Sequence, residues 1–68
     1  MRKTAFQLAP IERLLRKAGA ERVSPEAVKY LAEVLEDIAS DIAEQSAAVS
    51  KHAKRKTITA EDVMLVTK

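Results

Sequence analysis

Between Glu26 and Lys68 there is neither a proline nor a glycine. These are the ordinary breakers of a helix, so one long helix is free to run through this part of the chain. Ser24-Pro25 supplies its start. A hydroxyl caps free N–H groups, proline suits the first helical position, and Glu26 puts a carboxylate at the positive end of the helix dipole. The reciprocal capping box is incomplete, because Ala27 stands where a Glu or Gln would be needed. Val28, Leu31, Leu35, Ile38 and Ile42 then follow at three- and four-residue steps. The same seam runs on through Gln45, Val49 and His52 with growing polarity. The spacing predicts a helix over 25–52.

Length constrains the rest. A helix over 25–52 is about 42 Å long at 1.5 Å per residue. A compact globule of 68 residues has a diameter of about 30 Å. The helix is longer than the monomer that would hold it. Two short flanking helices cannot cover both its ends and its apolar seam. The expectation is an obligate homodimer whose long helices cross. The alternative is a break near Ser46, giving a monomeric four-helix bundle.

The flanking segments are short. Pro10 suits a helix start, and Ile11, Leu14, Leu15 and Ala18 share one face. Gly19, the only glycine, sits where a C-terminal cap belongs, and Lys17 complements the dipole in the last turn. A helix over 10–18 is expected, after a short arm over 1–8. Lys54-Arg55-Lys56 breaks the amphipathic pattern, and Thr57-Ile58-Thr59 reads as an extended loop. Thr59 is a good N-cap with Asp62 as its acidic partner three residues on, so a last helix is expected over 60–67. The fold class is all-α: short helix, long central helix, short helix, in a single domain over 1–68.

Composition removes several functions. There is no cysteine and one histidine, so no disulfide or thiolate zinc site is available, and no metal or cofactor is expected. No glycine-rich phosphate loop and no nucleophile–base pair is recognisable; Ser40, Ser46 and Ser50 lie on the long helix without an evident activating base. An enzyme is not expected. No apolar run approaches the ~20 residues a membrane span needs. The basic start Met1-Arg2-Lys3-Thr4 leads into no apolar signal core. The expectation is a soluble, cytoplasmic protein with no membrane partner.

The net charge is only +2, but its distribution is uneven. Residues 1–25 hold Arg2, Lys3, Arg13, Arg16, Lys17 and Arg22 against Glu12 and Glu21. Residues 26–44 hold Glu26, Glu33, Glu36, Asp37, Asp41 and Glu44 against Lys29. Residues 45–68 hold Lys51, Lys54, Arg55, Lys56 and Lys68 against Glu61 and Asp62. Cationic ends around an anionic middle are a footprint to look for in a phosphate binder. In a crossed dimer the first loop of one chain lies beside the second loop of its partner. That gathers Arg22 with Lys54-Arg55-Lys56 twice per dimer. Helix starts at Pro10, Ser24 and Thr59 are expected to add free N–H groups and positive dipole ends, and Thr57 a hydroxyl.

Three runs carry a family resemblance. Ala18-Gly19-Ala20-Glu21-Arg22-Val23-Ser24 and Arg55-Lys56-Thr57-Ile58-Thr59-Ala60-Glu61-Asp62-Val63 closely resemble the two loop segments of archaeal histones, and Ala9-Pro10-Ile11-Glu12-Arg13-Leu14-Leu15-Arg16-Lys17 is similar to their first helix. The likeness covers about residues 8–67. It implies the histone fold, a head-to-tail handshake homodimer or a heterodimer with a paralogue, and higher oligomers on double-stranded DNA. It also implies association with the chromosome or nucleoid, and binding and wrapping of duplex DNA with little sequence preference. Carried over by position, Arg13 would enter the minor groove. Arg22 and Thr57 would pair at the DNA surface, and Lys56 would contact phosphate. Arg55 and Asp62 would form an intrachain brace of the second loop. Val49, His52, Asp62 and Leu65 would form the dimer–dimer contact, with His52 bonding Asp62 of a neighbouring dimer. Gly19 would permit close stacking of superhelical turns. Arg16, Lys54 and Arg55 are further candidate DNA contacts. The sequence departs from the family where Lys54 replaces a usual glycine, Val49 a common leucine, and Met64 a frequent charged residue. Two other readings remain: a histone-fold dimerisation module of a transcription-factor-like assembly, and a DNA coat that does not wrap.

Overall fold

The computed structural model describes residues 4–68. It contains three helices, α1 (Leu8–Lys17), α2 (Pro25–His52) and α3 (Ala60–Thr67), and no strand among the described residues. The all-α order and the bounds of α2 and α3 are those expected. By its contacts the chain divides into an N-terminal unit, Met1–Asp37, and a C-terminal unit, Ile38–Lys68, with α2 running through both. Among the described residues, no helix is long and apolar enough to cross a membrane.

In the N-terminal unit, α1 starts two residues before the expected Pro10. Pro10 is its third residue, where the missing N–H is still one that no helical carbonyl would accept. The arm is shorter than the expected 1–8. Residues 1–3 lie outside the described residues, and Leu8 is already helical. Between them, the Ala5 N–H donates to Glu36 Oε2 at 2.6 Å, and Thr4 Oγ1 donates to the Phe6 carbonyl at 3.3 Å. Helix α1 ends on Gly19 at φ +119°. The Gly19 N–H donates to the Arg16 carbonyl (3.0 Å) and the Ala20 N–H to the Leu15 carbonyl (3.2 Å), the paired bonds of a Schellman ending. Ser24 Oγ accepts from the Ala27 N–H at 3.1 Å and caps α2. Ile11, Val28 and Ala32 are buried, with Leu15, Val23, Leu31 and Leu35 packed against them. Of the expected α1 face, Ile11 is buried and Leu15 half-buried, but Leu14 is 56% exposed.

The C-terminal unit buries different chemistry. Its buried residues are Ser46, Ser50 and Asp62. The expected polar continuation of the seam is not the packed side of α2 within this chain. Gln45 and His52 are exposed and Val49 half-buried, while the four-residue step Ser46–Ser50 is the stripe that packs inward. Small side chains let the second loop and α3 approach α2 closely. The large apolar residues are left outside: Ile38 at 53%, Met64 at 51% and Leu65 at 65% exposure. No break occurs at Ser46, so the four-helix alternative is not the fold observed.

Helix α2 ends as α1 does. The Lys54 N–H donates to the Lys51 carbonyl and the Arg55 N–H to the Ser50 carbonyl, both at 2.9 Å. Here the left-handed position is Lys54, at φ +61°. The departure from glycine therefore keeps the geometry and accepts the strain of a Cβ in that region. Lys54→Gly is expected to stabilise the fold by about 1 kcal/mol. A urea midpoint that fails to rise would contradict this.

Candidate nucleic-acid interface

Two loops carry the expected contacts, one in each unit. The first, over 18–24, follows the Schellman ending of α1. Arg22 is exposed, as is Arg13 on α1. Arg16 is not a free cation. Its Nε pairs with Glu12 Oε2 at 3.1 Å, and its Nη1 donates to the Glu21 carbonyl at 3.4 Å. It ties the loop back to α1. Adding a Cβ to Gly19 would meet nothing within 4 Å, so within this chain glycine is required there by its backbone angle and not by a close neighbour.

The second loop, over 53–59, is held more tightly. Arg55 forks onto Asp62: Nη1 donates to Oδ2 at 3.0 Å and Nη2 to Oδ1 at 2.7 Å. Asp62 Oδ2 also accepts the Thr59 N–H at 2.9 Å, while Thr59 Oγ1 accepts the Asp62 N–H at 3.4 Å. This is the complete capping box at the start of α3. The carbonyl of Thr57 accepts from Arg55 Nη1 at 3.1 Å and from Ser50 Oγ at 2.9 Å. Ser50 Oγ also lies 3.2 Å from the Arg55 carbonyl. Lys54, Lys56 and Thr57 remain exposed. Among the described residues, Arg13, Arg22, Lys54 and Lys56 form no ion pair. An open cleft of about 330 Å³ beside this loop is lined by Ala47, Ser50, Lys51, Arg55, Lys56 and Ile58.

These bonds revise the expected anion sites. At α3 the N-terminal dipole end and the Thr59 N–H are occupied by the protein's own Asp62 carboxylate. At α2, Pro25 has no N–H and the Ala27 N–H is taken by Ser24. Only α1 begins without a side-chain cap. The helix starts at α2 and α3 thus offer fewer free N–H groups than expected. Arg55 bonds to Asp62 and to the Thr57 carbonyl, the brace expected of it, and keeps further N–H donors.

The expected dimer–dimer residues all lie in the C-terminal unit, with unequal access. Leu65 and His52 are exposed, Val49 is half-buried, and Asp62 is 3% exposed. Asp62 Oδ1 accepts a single bond from Arg55, so it retains one lone pair for a second donor. Sequence reasoning missed Ser50 as a contributor. Its signal was the Ser46–Ser50 spacing one turn before a loop, which a search for apolar periodicity passes over.

The Arg55 hydrogen bonds, with help from the Thr59 N–H, hold the Asp62 carboxyl well below the usual carboxylate range. The same contact raises Arg55 above its ordinary value. A depressed carboxyl contributes stability above its unfolded value of 3.8, and that stability is lost as pH falls toward the lower folded value. Asp62→Asn should lower the thermal midpoint near neutrality and flatten its decline between about pH 4 and about pH 2. A decline as steep as that of the parent chain would remove Asp62 from the acid transition.

The family model described as "Histone-like transcription factor (CBF/NF-Y) and archaeal histone" matches residues 4–66. The chain is 54% identical over 61 residues to one subunit of the archaeal histone HAN1 of Thermococcus zilligii, covering 90% of this chain and 91% of that protein. It is 59% identical over 56 residues to probable archaeal histone 3 of Methanocaldococcus jannaschii, covering 82% and 84%. It is also 36% identical over 58 residues to histone H4 of Euplotes crassus, covering 85% of this chain and 54% of that protein. With three helices in this order and both loops inside the match, the chain belongs to the family of histone-like transcription factors and archaeal histones.

Proposed function

We propose that this chain is an architectural protein that packages double-stranded DNA as a histone-fold homodimer, or as a heterodimer with a paralogue. The observation that carries the reading is the second loop. It is bonded from beneath by Ser50, Arg55 and Asp62 while Lys56 and Thr57 stand exposed. A rigid backbone presenting a cation and a hydroxyl suits phosphate, which positions a protein on DNA without reading sequence. Arg22 of the partner's first loop joins Thr57 there, Arg13 enters the minor groove, and Lys54 adds charge beside them. Preference among sequences then comes from how easily the DNA bends.

The dimer is supported by what the chain leaves uncovered. Leu14, Ile38 and Leu65 are each more than half exposed. Burial of such a side chain contributes about 1.5–3 kcal/mol. Val49, His52 and Leu65, with the remaining lone pair of Asp62, join one dimer to the next along DNA, and Gly19 keeps stacked turns close. The protein works at the chromosome, and its role is structural.

Nuclease digestion of long mixed-sequence DNA tests this. Protected fragments growing by a constant step support dimers adding into a wrapped filament. Smeared protection favours a coat, and no protection at low salt favours a protein-assembly module. If a dimer neutralises about 6–10 phosphates, affinity falls by about 10³–10⁵ between 50 and 200 mM salt. Arg22→Ala with Lys56→Ala should weaken binding alike on all duplexes and make the salt slope shallower. Loss confined to one sequence would mean that these residues read bases.

A further inference from the structure

We infer that Ser50 is a positioning residue for the DNA-contacting second loop, an inference that rests on the packaging reading above. Residue 50 holds this loop twice. Its backbone carbonyl accepts the Arg55 N–H at 2.9 Å and closes the end of α2. Its hydroxyl lies 2.9 Å from the Thr57 carbonyl and 3.2 Å from the Arg55 carbonyl. The two carbonyls bracket Lys56 and Thr57. The single hydroxyl proton, shared toward the nearer Thr57 carbonyl, restrains the peptide planes before Lys56 and after Thr57, and with them the direction in which the Lys56 and Thr57 side chains leave the backbone. The Arg55–Asp62 pair ties the loop to α3; Ser50 ties it to α2. The side chain is 3% exposed, so water does not readily replace this donor. The serine also forms one wall of the cleft whose rim carries Lys51 and Lys56.

Ser46 provides a matched comparison. It lies one turn earlier on α2 and is 1% exposed, yet its hydroxyl has no hydrogen-bond partner among the described residues. Ser→Ala at 46 and at 50 therefore makes the same chemical change at two buried sites of one helix. Only the second change releases the loop. Alanine keeps the backbone bond at 50 and is the better helix former, so the Ser50→Ala chain is expected to fold.

The experiment measures binding of the full chain, Ser46→Ala and Ser50→Ala to one mixed-sequence duplex across a salt series, with thermal melting alongside. Ser50→Ala is expected to bind about fivefold more weakly for each loop engaged, the equivalent of one lost hydrogen bond. Its log–log salt slope should be shallower by about two, from roughly 0.9 for a phosphate lost at each of two loops. Ser46→Ala should keep the parent's affinity and slope. A role confined to stability would move the melting temperature of Ser50→Ala and leave the slope of the folded protein alone. Parent-like affinity and slope in Ser50→Ala overturn the inference while leaving the packaging reading intact. An equal loss in Ser46→Ala also overturns it, because the effect would then belong to the helix. A parent chain with no salt-dependent binding overturns the packaging reading itself.

Discussion

The pair between Arg55 and Asp62 sets the path of the chain between α2 and α3. A carboxylate that is 3% exposed is stable only if its oxygens are bonded, and Asp62 has three donors: both terminal nitrogens of Arg55 and the Thr59 N–H. One side chain thereby caps α3 and anchors the loop that precedes it. The arrangement places the chain's own carboxylate at the dipole end of α3 and against the guanidinium. Lys54, Lys56 and Thr57 stand exposed on a backbone that the same bonds hold in place.

The two units are stabilised by different means. The N-terminal unit has an apolar centre of Ile11, Val28 and Ala32. The C-terminal unit buries two serines and an aspartate. Its coherence comes from hydrogen bonds, and its large apolar residues face outward. Both loops nevertheless begin with the same device, a Schellman ending with one residue in the left-handed region. Gly19 takes that conformation without strain; Lys54 takes it at a cost and adds a positive charge.

The fold was legible because its signals are local. The bounds of α2 and α3 follow from the Ser24-Pro25 start, the absence of breakers and the Thr59–Asp62 box. Pro10 is a poor guide to the start of α1, because proline is tolerated anywhere in the first turn and does not mark its first residue. The inner stripe of the C-terminal unit escapes the sequence for a related reason. Apolar periodicity follows Ile42 and Val49, whereas the packed side of α2 there is made of Ser46 and Ser50. Charge counting does not show that Arg16 and Arg55 also bond within the chain, each to a carboxylate. The roles given to Arg13, Arg22 and Gly19 came from the likeness to a family. No spacing rule assigns them.

The outward-facing Ile38 and Leu65 also bear on how much working protein a cell holds. When apolar surface is buried against a second copy, folding becomes second order in the chain, and stability rises with concentration by mass action. In the proposed dimer, at concentrations near its dissociation constant, halving synthesis removes more than half of the folded dimers, because the remaining chains are also less often paired. On the packaging reading proposed above, coverage of DNA in that range rises more steeply than expression.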